Sequence, residues 1–152
     1  MQDILTCAMG LDVHRDIIVA CLVKGAVDAE PEAETRTFST LIPEMQKLRE
    51  WVIEAECRNV AMESTGIYWQ PIYEMLESCF DGEISILVVN ARHMKNVPGR
   101  KTDMKDAQWI ATLLRAGLLK GSFIPDKAFR ELRHLTRYRK SVVHDITAQK
   151  NR

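Results

Sequence analysis

The sequence predicts an α/β fold: a mixed sheet with helices on both faces, followed by a long C-terminal helix. Three observations predict it. The first forty residues are dense in β-branched and apolar side chains interrupted by short polar turns, as a meander of strands requires. From there strands alternate with amphipathic helices, the pattern of a partly parallel sheet covered by helices. Beyond Pro125 one helical pattern runs to the end of the chain.

Each element follows from its residues. "CAMGLDVHRDIIVACLV" reads as strand, tight turn at His14–Asp16, and strand. "AVDAEPEAETRTFST" gives an acidic loop and a third strand near Thr35–Phe38. In "TLIPEMQKLREWVIEA", Leu41, Met45, Leu48, Val52 and Ala55 fall at helical spacing, Thr40 can cap, and Pro43 suits the first turn. "NVAMEST" is a short strand ending in a turn. "GIYWQPIYEMLESC" is a helix with Ile72, Met75, Leu76 and Cys79 on one side. "EISILVVN" is near-continuously apolar, as a central parallel strand should be. A polar loop, residues 90–101, leads into "KTDMKDAQWIATLLRAG", an amphipathic helix. We expect two parts, residues 1–122 and residues 123–152.

A chain of 152 residues, 46% apolar and 28% charged, can bury one real core. Its net charge of zero conceals a division. Residues 1–90 hold 6 Lys/Arg against 16 Asp/Glu, a net of −10; residues 91–152 hold 15 against 5, a net of +10. A polyanionic partner for the basic half would explain this, and so would attraction between the halves. Cys7, Cys21, Cys57 and Cys79 have neither CxxC spacing nor a zinc pattern with His, so they read as mostly buried free thiols in a reducing cytosol. There is no signal-peptide pattern and no apolar run near the ~20 residues of a membrane span. The expectation is a cytoplasmic protein without membrane contact.

The acids carry the chemistry. At about 100° per residue, Asp103 and Asp106 share an arc with Ala107, Ile110, Leu113 and Leu114, while Lys105, Gln108, Thr112 and Arg115 take the other side. Two anions on an apolar face need a cationic partner. Capping by Thr102 or Asp103 explains Asp103 well and Asp106 less well. Two further acids stand in strands, where acids are poor formers: Asp12 in "GLDVH" and Glu63 in "AMESTG". Strand C-termini are where α/β sheets place their sites. Four carboxylates drawn together there would repel unless hard divalent cations, with oxygen ligands, lay between them. A pair of such ions supports phosphodiester cleavage.

"GLDVHRD", "MESTGIYW" and "PGRKTDMKDAQWIATLLRAGL" resemble the N-terminal domain of DEDD-type insertion-sequence transposases, the IS one-ten family, which includes the pilin-gene inverting recombinases. The resemblance covers essentially the whole chain. It implies a RuvC-like, ribonuclease-H-like fold. It maps the catalytic, metal-binding tetrad onto Asp12, Glu63, Asp103 and Asp106, with two magnesium ions (manganese can substitute) and DNA as substrate. It also implies a structured guide RNA in the full protein. The family's proteins are longer, with a coiled coil and a second domain that supplies a nucleophilic serine, so this chain is expected to be a piece of such a protein. Neither Ser64 nor Ser141 matches that second-domain motif.

The basic half fits this reading. Ala128, Leu132, Leu135, Arg139, Val142, Ile146 and Gln149 recur in steps of four and three, a heptad seam that could pair with another copy of the chain or pack on its own domain. A homo-oligomer through this helix is expected. Arg130, Arg133, Arg137, Lys140 and His144 form a second stripe suited to phosphates, though a solvated face has the same composition. Arg92, Lys95, Arg100 and Lys101 precede the aspartates and would grip the scissile backbone, from a Gly/Pro-punctuated loop expected to be mobile without nucleic acid. His14 could reach the site or serve the turn, and His93 could join the phosphate grip or be an ordinary loop residue. Tyr68, Trp69 and Trp109 could stack on bases, with Trp109 on the polar side of its helix.

Other readings of the same residues are a stand-alone structure-selective nuclease, a non-catalytic nucleic-acid-binding and dimerisation module, and an actin-like nucleotide-binding fold. The last wants Gly-rich phosphate loops, and the seven glycines here form no such cluster.

Overall fold

The computed structural model of the chain describes residues 2–63, 66–97 and 105–151. Strands β1 (Cys7–Val13), β2 (Ile17–Lys24), β3 (Glu32–Ser39), β4 (Asn59–Glu63) and β5 (Ser85–Val89) form one sheet in the order β3-β2-β1-β4-β5. The helices are α1 (Ile42–Glu54), α2 (Trp69–Leu76), α3 (Ala91–Lys95), α4 (Asp106–Arg115) and α5 (Lys127–Lys150). The chain divides into two compact units, Met1–Ser122 and Phe123–Arg152. The first holds the sheet and α1 to α4; the second holds α5.

The meander β1-β2-β3 is antiparallel, and its first turn closes with the His14 N–H donating to the Ile17 carbonyl at 2.9 Å. β4 and β5 add in parallel, so the sheet is mixed. β5 lies at the edge of the described sheet rather than at its centre. Only Val88 and Val89 of its apolar run are buried, and periodicity carries no information about lateral position.

Alternation along the strands assigns the two faces. Ala8 and Gly10 of β1, Cys21 and Val23 of β2 and Ala61 of β4 face α4, where Ala107, Ile110, Ala111 and Leu114 pack on them. Met9, Leu11, Ile18 and Met62 point the other way and are fully buried. On that second face Phe38 of β3 meets Trp51 of α1 at 6.1 Å between ring centroids, with the Arg36 guanidinium 4.3 Å over the Trp51 ring. Helices therefore cover both faces.

Local signals placed most ends within a few residues. Pro43 sits in the first turn of α1 as expected, but the N-cap is Leu41. Thr40 instead donates its hydroxyl to the Arg15 carbonyl at 3.0 Å, tying the end of β3 to the β1-β2 turn. Part of the segment read as a polar loop is helical: Asn90 caps α3, its side chain accepting from the Arg92 N–H at 2.9 Å.

α4 departs from the helical-wheel reading in three ways. It begins at Asp106 with Lys105 as N-cap, not at Asp103. Trp109, assigned to the polar side, is 8% exposed. Arg115, also assigned there, is 1% exposed. A wheel assumes one buried stripe, whereas α4 is covered laterally as well. The Arg115 guanidinium donates to the carbonyls of Leu5 (2.8 Å), Gly25 (3.0 Å) and Ala26 (2.6 Å) and pairs with Asp3 at 3.4 Å. It thus locks the N-terminal segment and the β2-β3 loop onto the end of α4. Arg115→Met keeps the bulk and removes every donor. Stranding those carbonyls and Asp3 is expected to cost about 3 kcal/mol, read from the urea midpoint. An unchanged midpoint would show that the clamp contributes nothing.

Candidate functional site

The parallel register of β1 and β4 pairs Leu11 with Met62. One step further brings Asp12 level with Glu63, on neighbouring strands about 4.8 Å apart. Asp12 shares its face with Gly10, and Glu63 with Ala61, so both carboxylates stand on the α4 side at the C-terminal ends of their strands.

α4 runs antiparallel to β1. Ala107 and Ala111 lie over Gly10, and at the far end the Arg115 carbonyl accepts from the N–H groups of Ile4 and Leu5 just before β1 begins. The helix N-terminus is thereby carried to the end of the sheet where Asp12 and Glu63 stand. Asp106, the first helical residue, is exposed there, and its charge suits the positive end of the helix. Glu63 and Asp106 line one cleft of about 260 Å³, together with Ala91, Met94, Lys95 and Val97 of the α3 region and with Trp109. The close approach rests on glycine: a Cβ at position 10 would collide with the Ala107 carbonyl oxygen and lie 2.5 Å from the Ala111 nitrogen.

Asp12 is 17% exposed and directs Oδ2 at His14 Nε2, 3.1 Å away. Among the described residues, no three His, Cys, Asp or Glu side chains stand together as a metal cluster. Asp103, the fourth acid expected at the site, lies outside the described residues, as does Ser64. The acids gathered at this end of the sheet offer only carboxylate oxygens, and the His14 imidazole stands beside them. Such a set fits hard divalent cations better than zinc or copper.

The expected cationic residues fall in three places. Lys95 lines the cleft beside Glu63 and Asp106, and Arg92 is exposed one turn earlier on α3. Arg100 and Lys101 lie outside the described residues. Arg130, Arg133, Arg137 and Lys140 belong to α5, in the other unit. Arg130 is partly committed there, donating to the Pro125 carbonyl at 3.0 Å. His93 accepts from the Lys120 N–H at 3.2 Å, a structural contact. Trp69 packs edge-on against Tyr73, ring centroids 5.8 Å apart, while Tyr68 is 39% exposed.

The sequence matches the family model DEDD_Tnp_IS110, described as Transposase, over residues 9–152. The chain belongs to this transposase family. Its fold is similar to that of Thermus thermophilus RuvC, with a TM-score of 0.50 and 13% identity over 76% of this chain and 99% of that chain. T. thermophilus RuvC in complex with a Holliday junction substrate aligns likewise, with a TM-score of 0.50 and 13% identity over 78% of this chain and 100% of that one. At this identity the likeness is one of fold. No curated protein matches the sequence.

In this member of the transposase family two features of the cleft were not legible in the sequence. Trp109 forms part of its wall rather than facing solvent. The apolar residues Ala91, Met94 and Val97 shape its other side, and the signal for their helix was present in Asn90, a favoured N-cap residue. No described helix is long and apolar enough to cross a membrane.

Proposed function

We propose that this chain carries the DNA-cleaving site of an insertion-sequence transposase or site-specific recombinase, with Asp12, Glu63, Asp103 and Asp106 as its catalytic carboxylates. The observation that supports this most is the shared position of Asp12, Glu63 and Asp106. They come from three separate segments and stand at one end of the sheet on one face, with Glu63 and Asp106 in a common cleft.

The four carboxylates would hold two magnesium ions, which manganese can replace. A pair of ions held by these carboxylates would supply activation of a water or hydroxyl and would offset negative charge on the leaving oxygen. The chain's own residues define the geometry. β1 and β4 fix Asp12 and Glu63 side by side, α4 delivers Asp106 from above, and Trp109 and Met94 wall the cleft with apolar surface. Lys95 would hold a phosphate oxygen of the scissile strand, with Arg92, Arg100 and Lys101 extending that grip. His14 would orient the Asp12 carboxylate through its hydrogen bond. Arg130, Arg133, Arg137 and Lys140 would follow a nucleic-acid backbone along α5, a structured guide RNA in the full protein being one such partner. The heptad seam on α5 would join two copies of the chain.

A crystal grown with manganese tests the metal site. Anomalous density between Asp12, Glu63 and Asp106 is the expected result, and a clean map at saturating manganese would remove the proposal's basis. The α5 stripe is tested by salt titration. Arg133→Gln and Arg137→Gln should each weaken binding to any duplex and lower the slope of log affinity against log salt by about 1, measured by fluorescence anisotropy. Slopes equal to that of the parent chain would return the stripe to an ordinary solvated face.

A further inference from the structure

At the opposite end of β1 from Asp12, two cysteines meet. Cys7 opens β1 and is partly exposed; Cys57, just before β4, is fully buried. The register that pairs Met9 with Val60 runs back to place Cys7 level with Arg58, next to Cys57 in the chain. Asn59 ties the two segments: its side-chain amide donates to the Cys7 carbonyl at 3.4 Å, and its own carbonyl accepts from the Cys57 thiol at 3.3 Å. The Cys57 proton is committed to that carbonyl, and the Cys7 thiol is the neighbour of the Cys57 sulfur. A cation completes the group. Lys24 is the β2 partner of Cys7, and its ammonium reaches the Ala55 carbonyl at 3.3 Å, two residues before Cys57.

Exposure divides the labour between the thiols, since Cys7 is partly exposed and Cys57 is fully buried. Contact with the Cys57 thiol lowers Cys7 to about 7 against the opposing effect of burial, and Lys24 and Arg115 assist. Cys57 is pushed up, first by its contact with the Cys7 thiol and then by burial. Cys21 and Cys79 are raised by burial and lie outside this group. An accessible thiolate near a cation, beside a protonated thiol, is the arrangement of a peroxidatic and a resolving cysteine.

We propose that Cys7 and Cys57 are a redox-active pair, with Cys7 attacking a hydroperoxide and Cys57 closing the product to a disulfide. The Cys7 thiolate attacks the peroxide oxygen. An S–O bond forms, the O–O bond breaks, and hydroxide leaves to take up a proton as water. Cys7 is oxidised to the sulfenic acid and the peroxide is reduced. The Cys57 sulfur then attacks Cys7. The S–S bond forms, the S–O bond breaks, and the departing hydroxide takes the Cys57 proton as a second water. The disulfide would join the first residue of β1 to the lead-in of β4, two of the strands that carry the candidate site at their other ends.

Treatment of this chain with hydrogen peroxide near pH 7, followed by alkylation under denaturing conditions and peptide mass mapping, tests the pair. Two of the four free thiols should be lost, a Cys7–Cys57 cross-linked peptide should appear, and a dithiol should reverse it. Cys57→Ser should leave a Cys7 sulfenic acid that dimedone captures. Cys7→Ser should abolish the cross-link and slow peroxide consumption on the order of tenfold or more. Four thiols surviving peroxide would overturn the proposal, and so would oxidation of Cys7 to the sulfinic acid with Cys57 still reduced. The unsubstituted chain gives a decisive peptide map even where a variant folds poorly.

Discussion

Gly10→Ala is expected to destabilise this chain by about 3 kcal/mol and to dislodge Asp106 from the cleft. Gly10 lies in the middle strand of the sheet, facing α4. The atoms its new methyl would strike are the Ala107 carbonyl oxygen and the Ala111 nitrogen, with Ile110 Cβ at 3.0 Å. Two of these are backbone atoms of a hydrogen-bonded helix, which cannot turn aside as a side chain can. α4 would have to lift from the sheet, opening the contacts of Ala8 and Ala61 with Ile110 and Leu114. Overpacking of well-filled cores costs about 1–3 kcal/mol when side chains absorb it, and a rigid helix pushes the value to the upper end or beyond. Urea denaturation checks the stability. If the chain survives at reduced temperature, manganese affinity checks the displacement of Asp106. A variant with the parent's midpoint would show that α4 does not rest on this glycine.

Asp106→Asn is the complementary experiment, because it should spare the fold and remove the function. Asp106 is exposed at the first position of α4, so losing its charge there should cost only about 0.3–1 kcal/mol through the helix dipole. The amide keeps the shape and one oxygen but not the charge that a divalent cation needs. Changing partners one step removed from a metal ligand already costs 10–100-fold in affinity or activity, so on the proposed role of Asp106 as a direct ligand its loss should cost at least ~100-fold in manganese affinity and in metal-dependent strand cleavage. Asp126→Asn serves as the control. Asp126 caps α5, accepting from the Phe129 N–H at 3.0 Å, and is none of the proposed ligands, so its loss should leave metal binding unchanged. Full cleavage by the Asp106 variant, with the parent's metal affinity, would remove this residue from the site.

The two variants separate what a residue does locally from what its neighbours do for it. The helical wheel set Asp106 on an apolar, inward arc, whereas it is exposed at the first position of α4, where the helix dipole favours it. Gly10 was not visible as anything more than a glycine in a strand. Its importance comes from the helix lying across it, nearly a hundred positions later in the chain.

The sequence by itself determined the strands, most helix ends, the mixed character of the sheet and the four acids worth watching. These rest on short-range causes: alternation, helical spacing, prolines in first turns and the poor fit of acids to strands. Tertiary structure alone decided that β5 is an edge strand, that Arg115 and Trp109 are buried despite their places on the wheel, and that Cys7 lies against Cys57. It also decided that Asp12, Glu63 and Asp106 share one face at one end of the sheet. Each of these outcomes depends on which distant segment comes to cover which side chain. A pattern read along the chain records that a residue can be buried or charged, but the partner that meets it is chosen only when sheet and helices pack.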